Sequence, residues 1–115
     1  MSVQTIEEMA KWVENNLTDG PTLKDMSSYV GYSPFYCSTK FREHMGMTYK
    51  QFLAQCRLTA AANDLRSTDD KIINIAFRYG YSSSEALARA FTAIFKCSPR
   101  QYRKALSAFP SQRST

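Results

Sequence analysis

The sequence predicts an all-α chain of about seven helices, and three observations carry that prediction. Apolar residues recur at helical spacing throughout, strand-like alternation is nowhere sustained, and capping residues punctuate the pattern. At 115 residues the chain makes one compact domain or two very small ones, which excludes a large enzyme. Its 43% hydrophobic and 13% aromatic content suffices to bury a core, whereas disordered chains are depleted in both classes.

The elements follow in order. Thr5 with Glu8 forms a capping-box pattern ahead of Ile6, Met9, Trp12, Val13 and Leu17, whose spacing makes one apolar stripe. Asp19-Gly20-Pro21 ends this helix. Thr22 can cap a short second helix bearing Leu23, Met26 and Val30, which Gly31 stops. Ser33-Pro34 starts a third helix running to Met45, because an N-cap hydroxyl is followed by a proline whose missing N–H costs nothing there. Thr48 and Gln51 form a further capping box, opening the longest helix, which reaches Arg66. Asp69 and Asp70 favour the start of a fifth helix, Lys71 to Tyr79, stopped by Gly80; Ser82 or Ser83 can cap a sixth reaching Phe95. Pro99 opens a seventh through Tyr102 to Leu106.

An internal repeat organises these helices. Gly31-Tyr32-Ser33 recurs as Gly80-Tyr81-Ser82 at an offset of 49, and Phe41, Met45, Thr48, Gln51 and Phe52 recur as Phe91, Phe95, Ser98, Gln101 and Tyr102 at an offset of 50. Each copy is a short helix, a glycine turn and a capped helix, the pattern of a helix-turn-helix. The organisation expected is a first unit over residues 5–47, a linker helix over 48–66, a second unit over 67–107 and a flexible tail over 108–115. The linker would span roughly 27 Å at about 1.5 Å per residue. With its flanking turns it could place two recognition helices about 34 Å apart, one turn of DNA.

Charge is unevenly distributed. The net charge is +5, yet residues 1–30 carry two basic against five acidic side chains, and residues 71–115 eight basic against Glu85 alone. The basic half suits a polyanion, although a solvated face is the alternative on charge alone. Cys37, Cys56 and Cys97 are odd in number and lack C-x-x-C spacing, so neither a disulfide framework nor a zinc site is expected, and a reducing cytoplasm is. No window approaches a membrane span and the N-terminus has no signal-peptide pattern. No nucleophile with a positioned base and no cofactor motif is visible; His44, the single histidine, can simply favour the end of its helix.

The candidate site follows from the repeat. Cys37, Phe41 and Met45 should face inward, as should Leu87, Phe91 and Phe95, which leaves the opposite faces free. The outward face of the third helix carries Phe35, Tyr36, Ser38, Thr39 and Arg42; that of the sixth carries Ser84, Glu85, Ala88 and Arg89. Such residues meet base edges when a recognition helix enters the major groove of double-stranded DNA. Arg89 could grip guanine in bidentate fashion. Phe35 could touch thymine methyls or make an edge contact with the core, and Glu85 could accept from cytosine, repel phosphate or stabilise its helix start. Ser33 and Ser83 are caps first and phosphate contacts second. Lys40, Arg42, Lys50, Lys96, Arg100, Arg103 and Lys104 are the cations available to phosphates. Trp12, Tyr49, Phe52 and Tyr102 are read as packing residues. A helical protein-interaction module is the alternative, which salt-dependent DNA affinity would separate.

Gly31-Tyr32-Ser33, Phe41, Gly46, Ala61 with Leu65, Ile75-Ala76, Tyr79-Gly80-Tyr81, Phe91, Phe95, Ser98-Pro99 and Tyr102-Arg103 together resemble the DNA-binding domain of the AraC/XylS family of bacterial regulators, over about residues 5–106. The size is similar to that of free-standing members without an effector-binding domain. The resemblance implies a monomer on an asymmetric promoter site that contacts RNA polymerase and activates transcription. It also implies base contacts at Phe35, Ser38 and Thr39, where relatives often hold Trp, Gln and Arg, and at Ser84, Glu85, Ala86 and Arg89, where they often hold Gln, Gln, Thr and Arg. These departures imply a different target sequence or a greater weight on phosphate contacts.

Overall fold

The computed structural model describes residues 2–108. It comprises α1 (Val3–Asn15), α2 (Leu23–Val30), α3 (Pro34–Met45), α4 (Tyr49–Ser67), α5 (Ile72–Arg78), α6 (Ser84–Phe95) and α7 (Pro99–Ala108), with a 3-10 turn at Leu17–Asp19 and no strand among the described residues. The flexible tail expected at 108–115 lies outside the described residues from 109 onward.

Contacts divide the chain into unit 1, Met1–Arg57, and unit 2, Leu58–Thr115. In unit 1 the core holds Ile6, Met9, Val13, Met26, Cys37, Phe41, Tyr49 and Leu53. Phe41 is its centre, meeting Tyr49 and Phe52 edge-on at 6.1 and 5.3 Å between ring centroids. In unit 2 the core holds Leu58, Ala61, Ala62, Leu65, Ile75, Ala76, Tyr79, Leu87 and Phe91. Phe91 stacks on Phe95 at 4.4 Å and meets the edge of Tyr102 at 5.4 Å. The boundary falls inside α4. Instead of a spacer standing outside both units, α4 supplies Tyr49 and Leu53 to one core and Leu58, Ala61 and Leu65 to the other.

The repeat has a physical counterpart at each tight turn. Gly31 and Gly80 both take φ 85°, a left-handed conformation open to glycine at low cost. The next residue then turns its N–H back five positions, Tyr32 to the Ser27 carbonyl at 3.2 Å and Tyr81 to that of Ala76 at 2.9 Å. This closes the last turn of α2 and of α5 in the same way.

Most caps form where expected, and two do not. The α1 cap is Ser2, whose Oγ accepts the Thr5 N–H at 3.2 Å; Thr5 bonds back to it and lies inside the helix instead of opening it. A good capping hydroxyl one turn upstream of Thr5 wins. Asp69 and Asp70 do not cap α5. Its N-cap is Lys71, without a side-chain bond, because the Asp70 carboxylate is drawn 2.8 Å from the Arg78 guanidinium. Conversely, α2 begins with a full capping box, Thr22 with Asp25.

Candidate nucleic-acid interface

Both candidate reading helices start in the same manner. Ser33 Oγ accepts the Tyr36 N–H at 3.2 Å at the start of α3, and Ser83 Oγ accepts that of Ala86 at 3.0 Å at the start of α6. Each hydroxyl satisfies one of the free N–H groups that would otherwise face solvent. Inward, Cys37 with Phe41 and Leu87 with Phe91 are fully buried, and Met45 and Phe95 pack at the margin of their cores.

The outward faces differ. On α3 the Phe35 ring is 83% exposed, which decides against an edge contact with the core. Tyr36 is half-buried, with the Tyr32 ring 5.3 Å away and the Lys40 ammonium 5.7 Å from its own ring. Lys40 is also paired with Glu43 at 3.3 Å. Ser38 is half-buried, whereas Thr39 and Arg42 are exposed. On α6, Glu85 and Arg89 are exposed while Ser84, Ala86 and Ala88 are half-buried. Ala88, Thr92 and Ala93 line a shallow depression together with Arg89, and their small side chains leave room for close approach there.

The cations fall into two groups. Lys50 and Arg100 occupy equivalent places in the first turns of α4 and α7, exposed, and Lys104 is exposed one turn beyond Arg100. A cation beside a helix N-terminus adds to the positive end of the helix dipole there, a combination that attracts phosphate. Lys96 and Arg103 are already engaged. The Lys96 Nζ donates to the Ala93 carbonyl at 3.1 Å. Arg103 donates from Nε to the Leu65 carbonyl at 3.1 Å, from Nη1 to that of Asp70 at 2.7 Å and from Nη2 to that of Thr68 at 3.1 Å. The fork that sequence reasoning directed toward phosphate is thus turned inward.

Beside Arg103 lies a network that the sequence did not disclose. Arg78 donates to Asp64 at 2.6 Å and to Asp70 at 2.8 Å, and the Tyr79 hydroxyl donates to Asp64 at 2.8 Å. The bond from Arg78 holds the Asp70 carboxyl below the usual carboxylate range, and burial with the Asp64 bond pushes Tyr79 up to about 12. Burial likewise pushes the Cys56 thiol up to about 11 and raises Cys37, so both are inert thiols at neutral pH.

This duplicated geometry has known counterparts. Residues 26–105 match a helix-turn-helix domain family. The chain belongs to the AraC-type helix-turn-helix family. It is 33% identical over 98 residues to the HTH-type transcriptional activator AarP of Providencia stuartii, covering 85% of this chain and 73% of that protein. An AraC-type transcriptional regulator from Chromobacterium violaceum superimposes with a TM-score of 0.86 at 25% identity, over 93% of this chain and 95% of that one. The DNA-binding domain of the global transcriptional factor AdpA, solved with a target DNA, superimposes with a TM-score of 0.83 at 25% identity, over 93% and 96% of the two chains. The family is one of DNA-binding transcription regulators and not of enzymes. No helix among the described residues is long and apolar enough to cross a membrane.

Proposed function

We propose that this DNA-binding regulator reads its site as a monomer, with α3 and α6 each entering a major groove, and activates transcription by contacting RNA polymerase. The observation that carries the reading is duplication: one chain holds two helix-turn-helix units, each with a serine-capped second helix that exposes residues on its outward face, Phe35, Thr39 and Arg42 on α3 and Glu85 and Arg89 on α6. A dimer is the usual way to obtain two reading helices, and here a single copy already has them. The description of AarP as an activator supports the transcriptional half of the proposal.

On α3, Phe35 with Tyr36, Ser38, Thr39 and Arg42 would meet bases largely through apolar and hydroxyl contacts. On α6, Arg89 would supply the strong hydrogen-bond donor, with Ser84, Glu85, Ala86 and Ala88 beside it. Lys50, Arg100 and Lys104 would contact phosphate. Duplexes selected from a randomised pool by the purified chain provide the test. The expected result is a single asymmetric motif bound by one copy, with polymerase-dependent stimulation of transcription from a promoter bearing it. Obligate binding of two copies to a palindrome would reject the monomer reading, and unchanged transcription would reject the polymerase contact.

A further inference from the structure

Two consecutive residues of α7 grip different parts of unit 2. The Tyr102 ring stands 5.4 Å from Phe91 and 5.7 Å from Phe95, both on α6. Arg103, next to it and half-buried, spends Nε, Nη1 and Nη2 on the carbonyls of Leu65, Asp70 and Thr68. Those carbonyls line the path by which the chain leaves α4 and turns into α5. A guanidinium is a rigid planar fork, so three simultaneous bonds fix that path in both position and orientation.

Within the turn the Thr68 hydroxyl donates to the Asp64 carbonyl at 2.7 Å and accepts the Asp70 N–H at 3.3 Å, but nothing there caps α5. α5 starts at Lys71 with no side-chain cap, whereas its counterpart α2 starts with the Thr22–Asp25 box. Unit 1 nevertheless has the same joint in another chemistry. The carbonyl just before the N-cap of α2 belongs to Pro21 and accepts the Tyr49 hydroxyl at 2.9 Å; the carbonyl just before the N-cap of α5 belongs to Asp70 and accepts from Arg103. In each unit the helix after the reading helix captures this one carbonyl, by phenol in one and guanidinium in the other.

We propose that Arg103 is a positioning residue for DNA reading: with Tyr102 it locks the start of α5 and the seat of α6 into one arrangement, and it makes no phosphate contact. The proposal rests on the reading of α6 as a recognition helix. The test compares wild type, Arg103→Ala, Arg103→Lys and Arg89→Ala on the duplex that the wild-type chain selects, over a salt series and below each variant's melting temperature. The base pairs at which Arg89→Ala loses preference mark the part of the site read by α6. Arg103→Ala should lose about tenfold discrimination at those base pairs, leave discrimination elsewhere intact and leave the salt slope unchanged. Arg103→Lys, which keeps the charge and loses the fork, should behave like Arg103→Ala. Amide hydrogen exchange at Asn74 and Ile75, whose N–H groups bond to the Lys71 carbonyl, should accelerate in both variants. A fall of about 1 in the salt slope with equal weakening of every sequence, together with rescue by lysine, would overturn the proposal and return Arg103 to phosphate. Wild-type chain without salt-dependent binding to any duplex would overturn the DNA reading itself, and the proposal with it, while the exchange data would still report whether Arg103 holds the turn.

Discussion

Unit 1 and unit 2 share one architecture and close it with opposite chemistries. Ile6, Met9 and Val13 of α1 have the spacing of Leu58, Ala61 and Leu65 in α4, which places Trp12 opposite Asp64 in the alignment of the repeats, and Tyr29 opposite Arg78. In unit 1 these positions form an aromatic pair, 6.1 Å between centroids; in unit 2 they form an ion pair at 2.6 Å. The overall charge follows the same division. Unit 1 has six basic and six acidic residues, unit 2 nine and four, so the entire +5 resides in the second. Both units have an apolar core, and around it one adds an aromatic contact where the other adds charge-assisted hydrogen bonds. Solvent conditions that spare the first should loosen the second.

The largest expected effect treats the units as equals. Phe41→Ala and Phe91→Ala each remove a fully buried ring at the centre of a core, and each should cost about 3–5 kcal/mol in urea denaturation. Exchange protection should fall first in the unit that lost its ring; equal loss across both would show that the chain melts as one. Next comes the difference in chemistry. Asp64→Ala strips partners from Arg78 and the Tyr79 hydroxyl and should cost about 1–3 kcal/mol relative to wild type, a difference that 1 M salt should narrow by screening the wild-type ion pair.

A smaller contrast lies at the ends of α3 and α6. Gly46 closes α3 at φ 73°, and Lys96 closes α6 at φ 64°, the single non-glycine residue with positive φ among those described. Gly46→Ala meets nothing within 4 Å, so its cost is backbone strain alone, about 1 kcal/mol. Lys96→Gly should relieve similar strain, less the Ala93 bond and the greater freedom of glycine when unfolded, for a net gain of about 0.5 kcal/mol by thermal melting.

The subtlest contrast is with pH. Arg78 holds the Asp70 carboxyl below its ordinary range, so this group's contribution is complete above its unfolded pKa, about 3.9, and is lost as pH falls through the lower folded value. The side-chain carboxyl carbon of Asp70 should therefore titrate at lower pH in wild type than in Arg78→Ala, followed by nuclear magnetic resonance. Identical titrations in the two proteins would mean that Arg78 does not hold this carboxylate.

What was legible in the sequence is what is local. Ser33, Ser83 and the Thr48–Gln51 box act over three residues, so residue type and spacing were enough to find them. The two misread starts were competitions: Ser2 against Thr5, and Arg78 against α5 for the Asp70 carboxylate. The outward faces of α3 and α6 follow from periodicity, while the exposure of Phe35 depends on how α3 seats on its core, which periodicity does not fix. Arg103 was beyond reach because its partners are backbone carbonyls 33–38 residues away, and a carbonyl carries no residue identity to recognise.

That anonymity has an evolutionary side. Because Arg103 holds main-chain oxygens, exchange of the side chains at Leu65, Thr68 or Asp70 leaves every acceptor in place, and so does exchange at Pro21 for Tyr49. A salt bridge can be broken from either end, but these joints can be broken by substitution from one end only. Sequence drift at the turns into α2 and α5 is thereby tolerated, and the mutational vulnerability of each joint is concentrated at a single codon.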